Sequence, residues 1–485
     1  MVKRLISLML MAFMCISMIA GCSGNKASES TTSVQTTTAD TDAADNTNTS
    51  DEPKPVTITV SNWPKGDDEA NTKLYAQYVE TMKQKYPYIT IQGEEWSYDV
   101  NSFLPKAASG QLPNLYDTYF TEASKIIEGG YSADITDIVK KYNYDKTMNP
   151  DMLALVTKDN RYYGLPQGGY TVGLMYNVNV FKEAGLLDEK GVPKFPRTYD
   201  ELAQTAQIIK QKTGKPGFFF PTKNNQGGWM FMNIAWAYGA EFEKKVDGKW
   251  KAVFNSPEAV AALQYVKDLK WKYDVLPENN LVEVADLMGL MGTDQVGMAF
   301  GALGWVPMII TNTKMSKDAI AMSQNPAGPK GVATVLGGSI FMFAPQSTPE
   351  QLDACIKWLE VSKGFSPIVT DEMKQNFEAT AKINNEQGLV VGPHDMRVWV
   401  DPERVAAEDE ILKKYQNVNM DLWNDYVNNS TKGMRPEEPV LAQELYKTLD
   451  TAIQSVLTDK NADPQEILNR LVETFQRDYL DKVAQ

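Results

Sequence analysis

The sequence predicts an α/β protein whose folded body is built from alternating strands and helices. A β-rich run at Val56–Val60 is followed by apolar residues at helical spacing over residues 74–86, and the same alternation then repeats. Strand–helix–strand order predicts a mostly parallel sheet covered by helices. No internal repeat and no second linker follows Pro55, so we expect two intertwined lobes rather than separate domains in a row.

The N-terminal 54 residues differ in amino-acid composition from the rest of the chain. Lys3 and Arg4 precede an apolar run over residues 5–19, which is typical of a secretory signal peptide and shorter than the about 20 residues of a membrane span. Residues 23–52 are rich in Thr, Ser, Asp, Asn and Ala, and they contain no aromatic residue. Such a segment cannot bury enough apolar surface to offset its ordering entropy. We therefore predict a signal peptide over residues 1–21 and a disordered tether over residues 22–54.

Hydrophobic periodicity and turn residues predict the elements of the first half in order. The expected strands and helices lie at residues 56–60, 74–86, 89–91, 100–109, 115–120 and 122–129.

The second half carries clearer helix boundaries. Thr198 with Glu201 predicts a capping box, and Gly214 ends that helix. Pro257 after Ser256 predicts a helix with proline in its first turn, and Asp463 caps a last helix. Further strands are expected at residues 218–220, 296–300 and 340–344.

Composition excludes several classes of function. The chain has 62 acidic against 48 basic residues, and its formal charge of -14 argues against nucleic acid or an anionic membrane surface as a partner. The single histidine, His394, leaves no second imidazole for a zinc site and makes His-dependent catalysis a poor candidate. We expect no cofactor and no metal. Cys355 lies on a helical apolar pattern and is predicted to be buried.

The signal peptide ends in Ile19-Ala20-Gly21-Cys22, which resembles the lipobox of bacterial lipoproteins. That resemblance implies cleavage before Cys22 and attachment of a diacylglyceryl group to its thiol, so that palmitate is among the expected lipids. An ordinary signal peptide that carries a cysteine is the alternative. The mature protein is then expected at the extracytoplasmic face of the cell membrane, held by its lipid anchor.

A series of short segments keeps a fixed order over most of the chain after the tether: GQLPN at 110–114, YGLP at 163–166, GLMYN at 173–177, AG at 184–185, PRTYDEL at 196–202, GMAF at 297–300, GW at 304–305 and GGS at 337–339. In this order they resemble the extracellular solute-binding proteins of bacterial ABC transporters, in the sugar-binding group related to maltose-binding protein. The family's usual Pro-Asp before the third strand is Pro113-Asn114 here, which leaves the identity of the sugar open.

The resemblance implies a two-lobe periplasmic-binding-protein fold of type II, with the ligand in a cleft between the lobes. The expected parts are residues 55–168 (lobe 1), 169–339 (lobe 2), 340–400 (lobe 1 again) and 401–485 (a helical part, mainly lobe 2). Crossing strands are expected near residues 168–172 and 338–343, with a third in the C-terminal part. The implied partners are an oligosaccharide and a membrane permease, and the protein is expected to be a monomer.

A sugar presents hydroxyls and an apolar C–H face, so a sugar cleft needs flat rings beside short polar groups. Trp63 follows the first strand, and Asp117 and Tyr119 end the third, at the strand edge where open α/β sheets bind ligands. Asn224 belongs to a polar, glycine-rich loop before Trp229. Buried core positions are the alternative for each ring.

The resemblance adds roles to several of these positions. Trp229 aligns with a stacking tyrosine and Trp305 with a stacking tryptophan of the family, whereas Tyr170 replaces a charged family residue at the lobe crossing. Tyr446 and Arg435 are further candidates for closing the cleft. In contrast, Trp236, Trp271 and Trp358 lie in helical patterns and are predicted to be core residues. The adjacent pair Glu437-Glu438 is predicted to be solvated at the surface or to supply charge at a helix start.

Two other functions stay open at this point. A secreted glycoside hydrolase also combines carboxylates with aromatic platforms, but no carboxylate pair here has a rationale for acid and base roles. A binding protein for a non-sugar solute, such as a polyamine, phosphate ester or peptide, can use the same fold. We predict a binding protein and not an enzyme.

Overall fold

The protein is described here by a computed structural model covering residues 53–483. The predicted signal peptide, Cys22 and nearly all of the predicted tether lie outside the described residues. No helix within residues 53–483 is both long and apolar enough to cross a membrane.

Residues 53–171 contain the elements β1 (Val56–Val60), α1 (Glu69–Lys85), β2 (Ile89–Gly93), α2 (Val100–Ala108), β3 (Leu115–Tyr119), α3 (Ala123–Glu128), α4 (Thr136–Lys141), α5 (Tyr144–Thr147), α6 (Pro150–Ala154), β4 (Thr157–Lys158), β5 (Arg161–Tyr162) and β6 (Gly164–Thr171). Residues 172–333 contain β7 (Gly173–Asn177), α7 (Val178–Glu183), α8 (Tyr199–Thr213), β8 (Phe218–Phe219), α9 (Gln226–Tyr238), β9 (Glu243–Val246), β10 (Lys249–Ala252), α10 (Pro257–Trp271), α11 (Val284–Gly292), β11 (Met298–Gly301), α12 (Val306–Thr313), β12 (Ile320–Ser323), β13 (Ala327–Gly328) and β14 (Gly331–Val332). The remainder contains β15 (Thr334–Phe343), α13 (Pro349–Lys363), α14 (Asp371–Glu386), α15 (Pro402–Tyr415), α16 (Asn424–Asn429), β16 (Met434–Pro436), α17 (Ala442–Thr458) and α18 (Pro464–Asp478).

Two sheets organise these elements. The first has the strand order β16–β15–β3–β1–β2, with β6 also paired to β15, and the second has the order β12–β7–β11–β8. The predicted parallel pairing is confirmed for β1, β2 and β3, the strands from which it was inferred, but neither sheet is parallel throughout. Strand β15 runs antiparallel to both β3 and β6, and β7 runs antiparallel to β11 and β12. Both sheets therefore contain parallel and antiparallel pairs. The chain passes between the two sheets several times, and some of its strands re-enter a sheet in the opposite direction to their neighbours.

Two separate hydrophobic cores lie on these sheets. The first collects buried side chains of β1, α2, β3 and α13, and the second those of β7, α9, α10 and α17. Strand β6 runs from Leu165 in the first core towards Val172 in the second, and β15 has Val335 in the second core and Leu336 in the first. The predicted lobe boundaries at 168/169 and 339/340 stay predictions, and both fall inside these two strands.

The helix ends follow the predicted capping chemistry. The Thr198 side chain accepts a hydrogen bond from the Glu201 N–H, and Gly214 closes α8 with a φ of 72°. The Glu201 carboxylate, however, accepts from the Arg197 N–H at 2.6 Å, so only half of the capping box forms. Pro257 starts α10 and Asp463 caps α18, as predicted.

Strand β15 is longer than the predicted 340–344 because Gly337 and Gly338 continue it. A side chain at Gly337 would meet the Tyr170 ring at 2.4 Å, so these glycines mark the close approach of β6 rather than the end of a strand. Cys355 is fully buried in α13, as predicted. Trp236 and Trp358 are buried, whereas Trp271 is 36 % exposed, so its predicted core position is wrong. Its indole instead donates to the Val456 carbonyl oxygen at 2.8 Å near the surface.

Candidate functional site

Three rings converge where β6 enters the second core. The centroids of Trp229 and Trp305 lie 6.1 Å apart, and Tyr170 meets Trp229 edge to face at 6.4 Å. All three side chains are half-buried, so each ring packs on the core and keeps part of its surface open. The sequence analysis predicted each of these residues as a site residue on separate grounds, and the structure brings the three together. We call Tyr170, Trp229 and Trp305 the ring cluster.

The start of α9 positions Trp229. The Asp450 carboxylate of α17 accepts hydrogen bonds from the N–H groups of Asn225 at 2.8 Å and Gly228 at 2.7 Å. These N–H groups belong to the helix start and lack partners within α9, so a carboxylate from another helix fixes the direction in which α9 begins. A side chain at Gly228 would meet the Tyr446 carbonyl oxygen at 2.3 Å. Glycine there allows α9 to lie directly on α17.

Tyr119 presents a further ring from the first sheet. It is 55 % exposed at the end of β3 and meets Tyr98 edge to face at 6.4 Å. Burial raises the pKa of Tyr170, and the negative charges of Glu437 and Asp395 and the nearby Tyr119 raise it further. These electrostatic interactions place Tyr119 and two carboxyl groups near the ring cluster.

The two carboxyl groups were not predicted as site residues. The Tyr446 hydroxyl donates to Glu437 Oε1 at 2.8 Å, and the Tyr426 hydroxyl lies 2.7 Å from Asp395 Oδ1 and 2.9 Å from the Thr171 carbonyl oxygen. Burial raises the pKa of Glu437 to about 7 and that of Asp395 to about 6. No local pattern distinguishes either residue, since only the fold brings the chain after residue 390 back to β6.

The predicted solvation of Glu437-Glu438 is wrong. Glu438 is buried and accepts from the Trp236 indole at 3.3 Å, and Glu437 is half-buried beneath the Tyr446 hydroxyl. Adjacent carboxylates usually lie in solvent. These two are buried or half-buried because they directly follow β16, whose backbone leads into the second core.

A polar pair lies at the strand edge of the first sheet. Asn62, which follows β1 and has a left-handed φ of 55°, donates its amide to Asp117. Asp117 lies in the middle of β3 rather than at its end, where the sequence placed it. Burial raises the pKa of Asp117, while the charge of Lys363 lowers it. Asn62, Asp117 and Lys363 line a cavity of about 50 Å³ with Gln167 of β6. The rule that ligands bind at strand ends applies to Asn62 as well as to its neighbour Trp63, although only Trp63 was selected from the sequence.

Trp63 itself packs on the first core. Its ring stacks on Trp358 at 5.9 Å and meets Tyr75 edge to face at 5.1 Å. The side chain is half-buried, and Trp63 does not line the cavity at Asn62.

For the other three candidates, the polar or ring contact described here is made with a residue outside the ring cluster. Asn224 is exposed and donates its amide to Glu283 at 2.5 Å. Arg435 is exposed, with its guanidinium 4.7 Å from the Trp236 ring centre. Tyr446 is only 1 % exposed, so its ring belongs to the core. Its hydroxyl donates a hydrogen bond to Glu437. Their role in ligand binding stays a prediction.

Residues 53–483 contain no group of three or more His, Cys, Asp or Glu side chains placed to hold a metal ion.

Comparison with known proteins identifies the family. A model described as bacterial extracellular solute-binding protein matches residues 73–362, which is more than half of the chain. The chain belongs to this family.

Two kinds of relative support the assignment of this solute-binding protein. The arabinooligosaccharide-binding protein of Bacillus subtilis (strain 168) is 23% identical over 391 residues, covering 74% of this chain and 86% of the relative. The cyclic alpha-maltosyl-1,6-maltose binding protein from Arthrobacter globiformis has a similar structure, with a TM-score of 0.62 at 21% identity, covering 87% of this chain and 98% of the other. UgpB from Mycobacterium tuberculosis, in complex with glycerophosphocholine, also has a TM-score of 0.62, at 14% identity over 88% and 98% of the two chains.

These similarities confirm the two-lobe fold of sugar-binding proteins related to maltose-binding protein. The relatives are substrate-binding proteins rather than enzymes, which confirms the prediction that this protein is not an enzyme. At identities below 25% the structural matches establish the fold only, so the nature of the solute is argued from the site.

Proposed function

We propose that this solute-binding protein captures an oligosaccharide between its two lobes and delivers it to the permease of an ABC importer. The ring cluster is the observation that carries the proposal, because three partly open rings at the strand crossing suit the C–H faces of successive sugar units. Glu437, Asp395, Asn62 and Asp117 supply hydrogen-bonding groups nearby for hydroxyls. The Bacillus subtilis relative, an arabinooligosaccharide-binding protein, is in keeping with this ligand class.

Isothermal titration calorimetry on the folded body tests the ligand class. The probes are arabino-, xylo-, malto- and chito-oligosaccharides, with glycerophosphocholine as the non-sugar probe. We expect saturable binding of at least one oligosaccharide series. Binding of glycerophosphocholine without binding of any oligosaccharide would contradict the sugar assignment.

The ring cluster gives the first prediction. Trp229→Ala and Trp305→Ala each remove a partly buried aromatic anchor, so each is expected to weaken oligosaccharide binding by about 2 kcal/mol or more. Calorimetry with the tightest sugar of the panel measures the loss. Trp250→Ala is the matched control, because Trp250 lies on the β9–β10 hairpin and contacts Lys245 rather than the ring cluster. Equal affinities for all four proteins would remove the ring cluster from the site.

The proposal includes a lipid anchor at Cys22, supported by the lipobox-like sequence that ends at this residue. Expression of the full precursor in bacteria fed labelled palmitate tests it. We expect label and membrane retention in the native chain and in Cys355→Ala, and loss of both in Cys22→Ala. Label retained in Cys22→Ala would contradict the anchor.

A further inference from the structure

A second, larger cavity lies beside the strand crossing. It has a volume of about 330 Å³ and is bounded by Gln167 of β6, Lys363 at the end of α13, Arg397, Trp399, and Arg404 and Glu408 of α15. This volume is in the range of small-molecule sites, and the Trp399 ring adds an apolar wall. We call it the cation cavity because of its charged groups.

Three cations and one carboxylate line the cation cavity. Glu408 accepts from Arg404 Nε at 2.6 Å and lies 3.6 Å from Arg397 Nε, so a single carboxylate is shared by two guanidinium groups. Asp409 binds Arg397 at 2.5 Å, but its side chain is 57 % exposed and does not line the cavity. Lys363 acts electrostatically on Asp117, because its positive charge lowers the pKa of that carboxyl group. The residues that line this cavity therefore carry an excess of positive charge, with Asp409 and Asp117 outside the lining beside Arg397 and Lys363.

Gln167 supplies an unused acceptor at the same place. The pairing of β6 with β15 passes from Pro166 to Gly168, so Gln167 is the extra residue of a β-bulge. Bulges turn a side chain away from its regular direction, and they occur frequently beside binding sites. Gln167 Oε1 is buried without a hydrogen-bond partner, although a buried acceptor normally has one. A ligand hydroxyl would satisfy it.

The cation cavity adjoins the smaller cavity that is lined by the predicted site residue Asp117. Gln167, Phe341 and Lys363 line both this cavity and the smaller one at Asn62 and Asp117. Gln167 also precedes Tyr170 of the ring cluster by three residues of one strand, a distance of about 10 Å. A short oligosaccharide spans such a distance.

We propose that the cation cavity holds the carboxylate of a uronic acid unit, so that the ligand is an acidic oligosaccharide. The inference rests on the proposed function and narrows its ligand class. The carboxylate accepts hydrogen bonds from the Lys363 ammonium and the Arg397 guanidinium, and a hydroxyl of the same unit donates to Gln167 Oε1. Charge-assisted hydrogen bonds of this kind are about twice as strong as neutral ones, so the acid group dominates selectivity.

Matched pairs of sugars test the inference. The probes are xylotriose against xylotriose bearing one glucuronic acid unit, and galactotriose against trigalacturonic acid. Calorimetry is expected to show about tenfold or greater preference for the acidic member of at least one pair. The preference is expected to fall as salt rises from 50 to 500 mM, in the way an exposed ion pair weakens.

Lys363→Met separates this site from the ring cluster. The ratio of the dissociation constants of the neutral and acidic members is expected to fall about tenfold in this variant. Lys460→Met, at an exposed lysine beyond α17, is the matched control and is expected to keep the native ratio. Circular dichroism checks that both variants fold.

The outcomes distinguish the two proposals. Equal binding of neutral and acidic members contradicts the acidic ligand and leaves the oligosaccharide function intact. A native ratio in Lys363→Met contradicts the role of the cavity. Absence of binding to every sugar of both this set and the earlier panel contradicts the proposed function itself.

Discussion

Glu243 is a carboxyl group whose surroundings hold it neutral. It is buried on β9, where its Oε2 accepts from the Val440 N–H at 3.2 Å. Burial, together with the charge of Glu438, raises the pKa of Glu243 to about 9. Burial likewise raises the pKa of Glu438 to about 7. At neutral pH the folded protein therefore keeps a proton on Glu243 that the unfolded chain releases.

The second prediction follows from the proton that the Glu243 carboxyl group keeps in the folded protein. Because the pKa of Glu243 rises from an ordinary 4.5 to about 9 on folding, the free energy of unfolding falls as pH increases across that window. The slope contributed by one such group is at most about 1.4 kcal/mol per pH unit. Glu243→Gln is expected to lose this contribution, measured by urea unfolding at pH 5, 6, 7 and 8. Glu128→Gln, at an exposed position, is expected to keep the native slope. An unchanged slope in Glu243→Gln would show that Glu243 is ionised in the folded protein.

At the scale of elements, the contact between α9 and α17 determines where the Trp229 ring lies. Gly228 has no room for a side chain against the Tyr446 backbone, and the Asp450 carboxylate holds the N–H groups of the first turn. The position of one tryptophan thus depends on the packing of two whole helices.

The third prediction compares two helical glycines. Gly228→Ala forces α9 away from α17 and is expected to destabilise the fold by about 1–3 kcal/mol. Gly289→Ala in α11 meets nothing within 4 Å and is expected to stabilise the protein by about 0.5–1 kcal/mol, because alanine favours helix more than glycine does. Urea unfolding measures both. Equal effects would show that the α9–α17 contact tolerates a methyl group.

At the scale of the whole molecule, the proposed ligand would link the two cores and so couple binding to folding. A ligand that contacts both lobes binds only the folded chain, so it stabilises the protein by mass action. The fourth prediction is that an oligosaccharide at 100 times its dissociation constant raises the free energy of unfolding by about 2.7 kcal/mol. At the same sugar concentration Trp305→Ala is expected to show a much smaller gain, whereas Trp250→Ala is expected to respond as the native protein does. Denaturant unfolding with and without sugar measures the difference, and a full gain in Trp305→Ala would contradict the role of its ring.

Local signals were sufficient for much of the fold. The N-caps at Thr198, Ser256 and Asp463 determine helix starts through bonds within three residues, and all three were predictable from the chain. The order of the short family-like motifs predicted the two-lobe fold. The parallel direction of β1, β2 and β3 was predictable from strand–helix–strand order. The antiparallel direction of β15 was not, because β15 joins β3 and β6 from more than 150 residues away and no local pattern encodes that pairing.

The candidate site was likewise only partly predictable from the sequence. Trp229 and Trp305 were selected because they align with stacking rings of the resembled family, and Tyr170 was selected for its place at the predicted lobe crossing. Their convergence, the half-buried carboxyl groups of Glu437 and Asp395, and the bulge that turns Gln167 into the cation cavity depend on segments far apart in the chain. The chemical type of each side chain can be read from the sequence alone. Its burial and its distance from other groups arise only when both cores have formed, and these two properties decide which polar groups face a ligand.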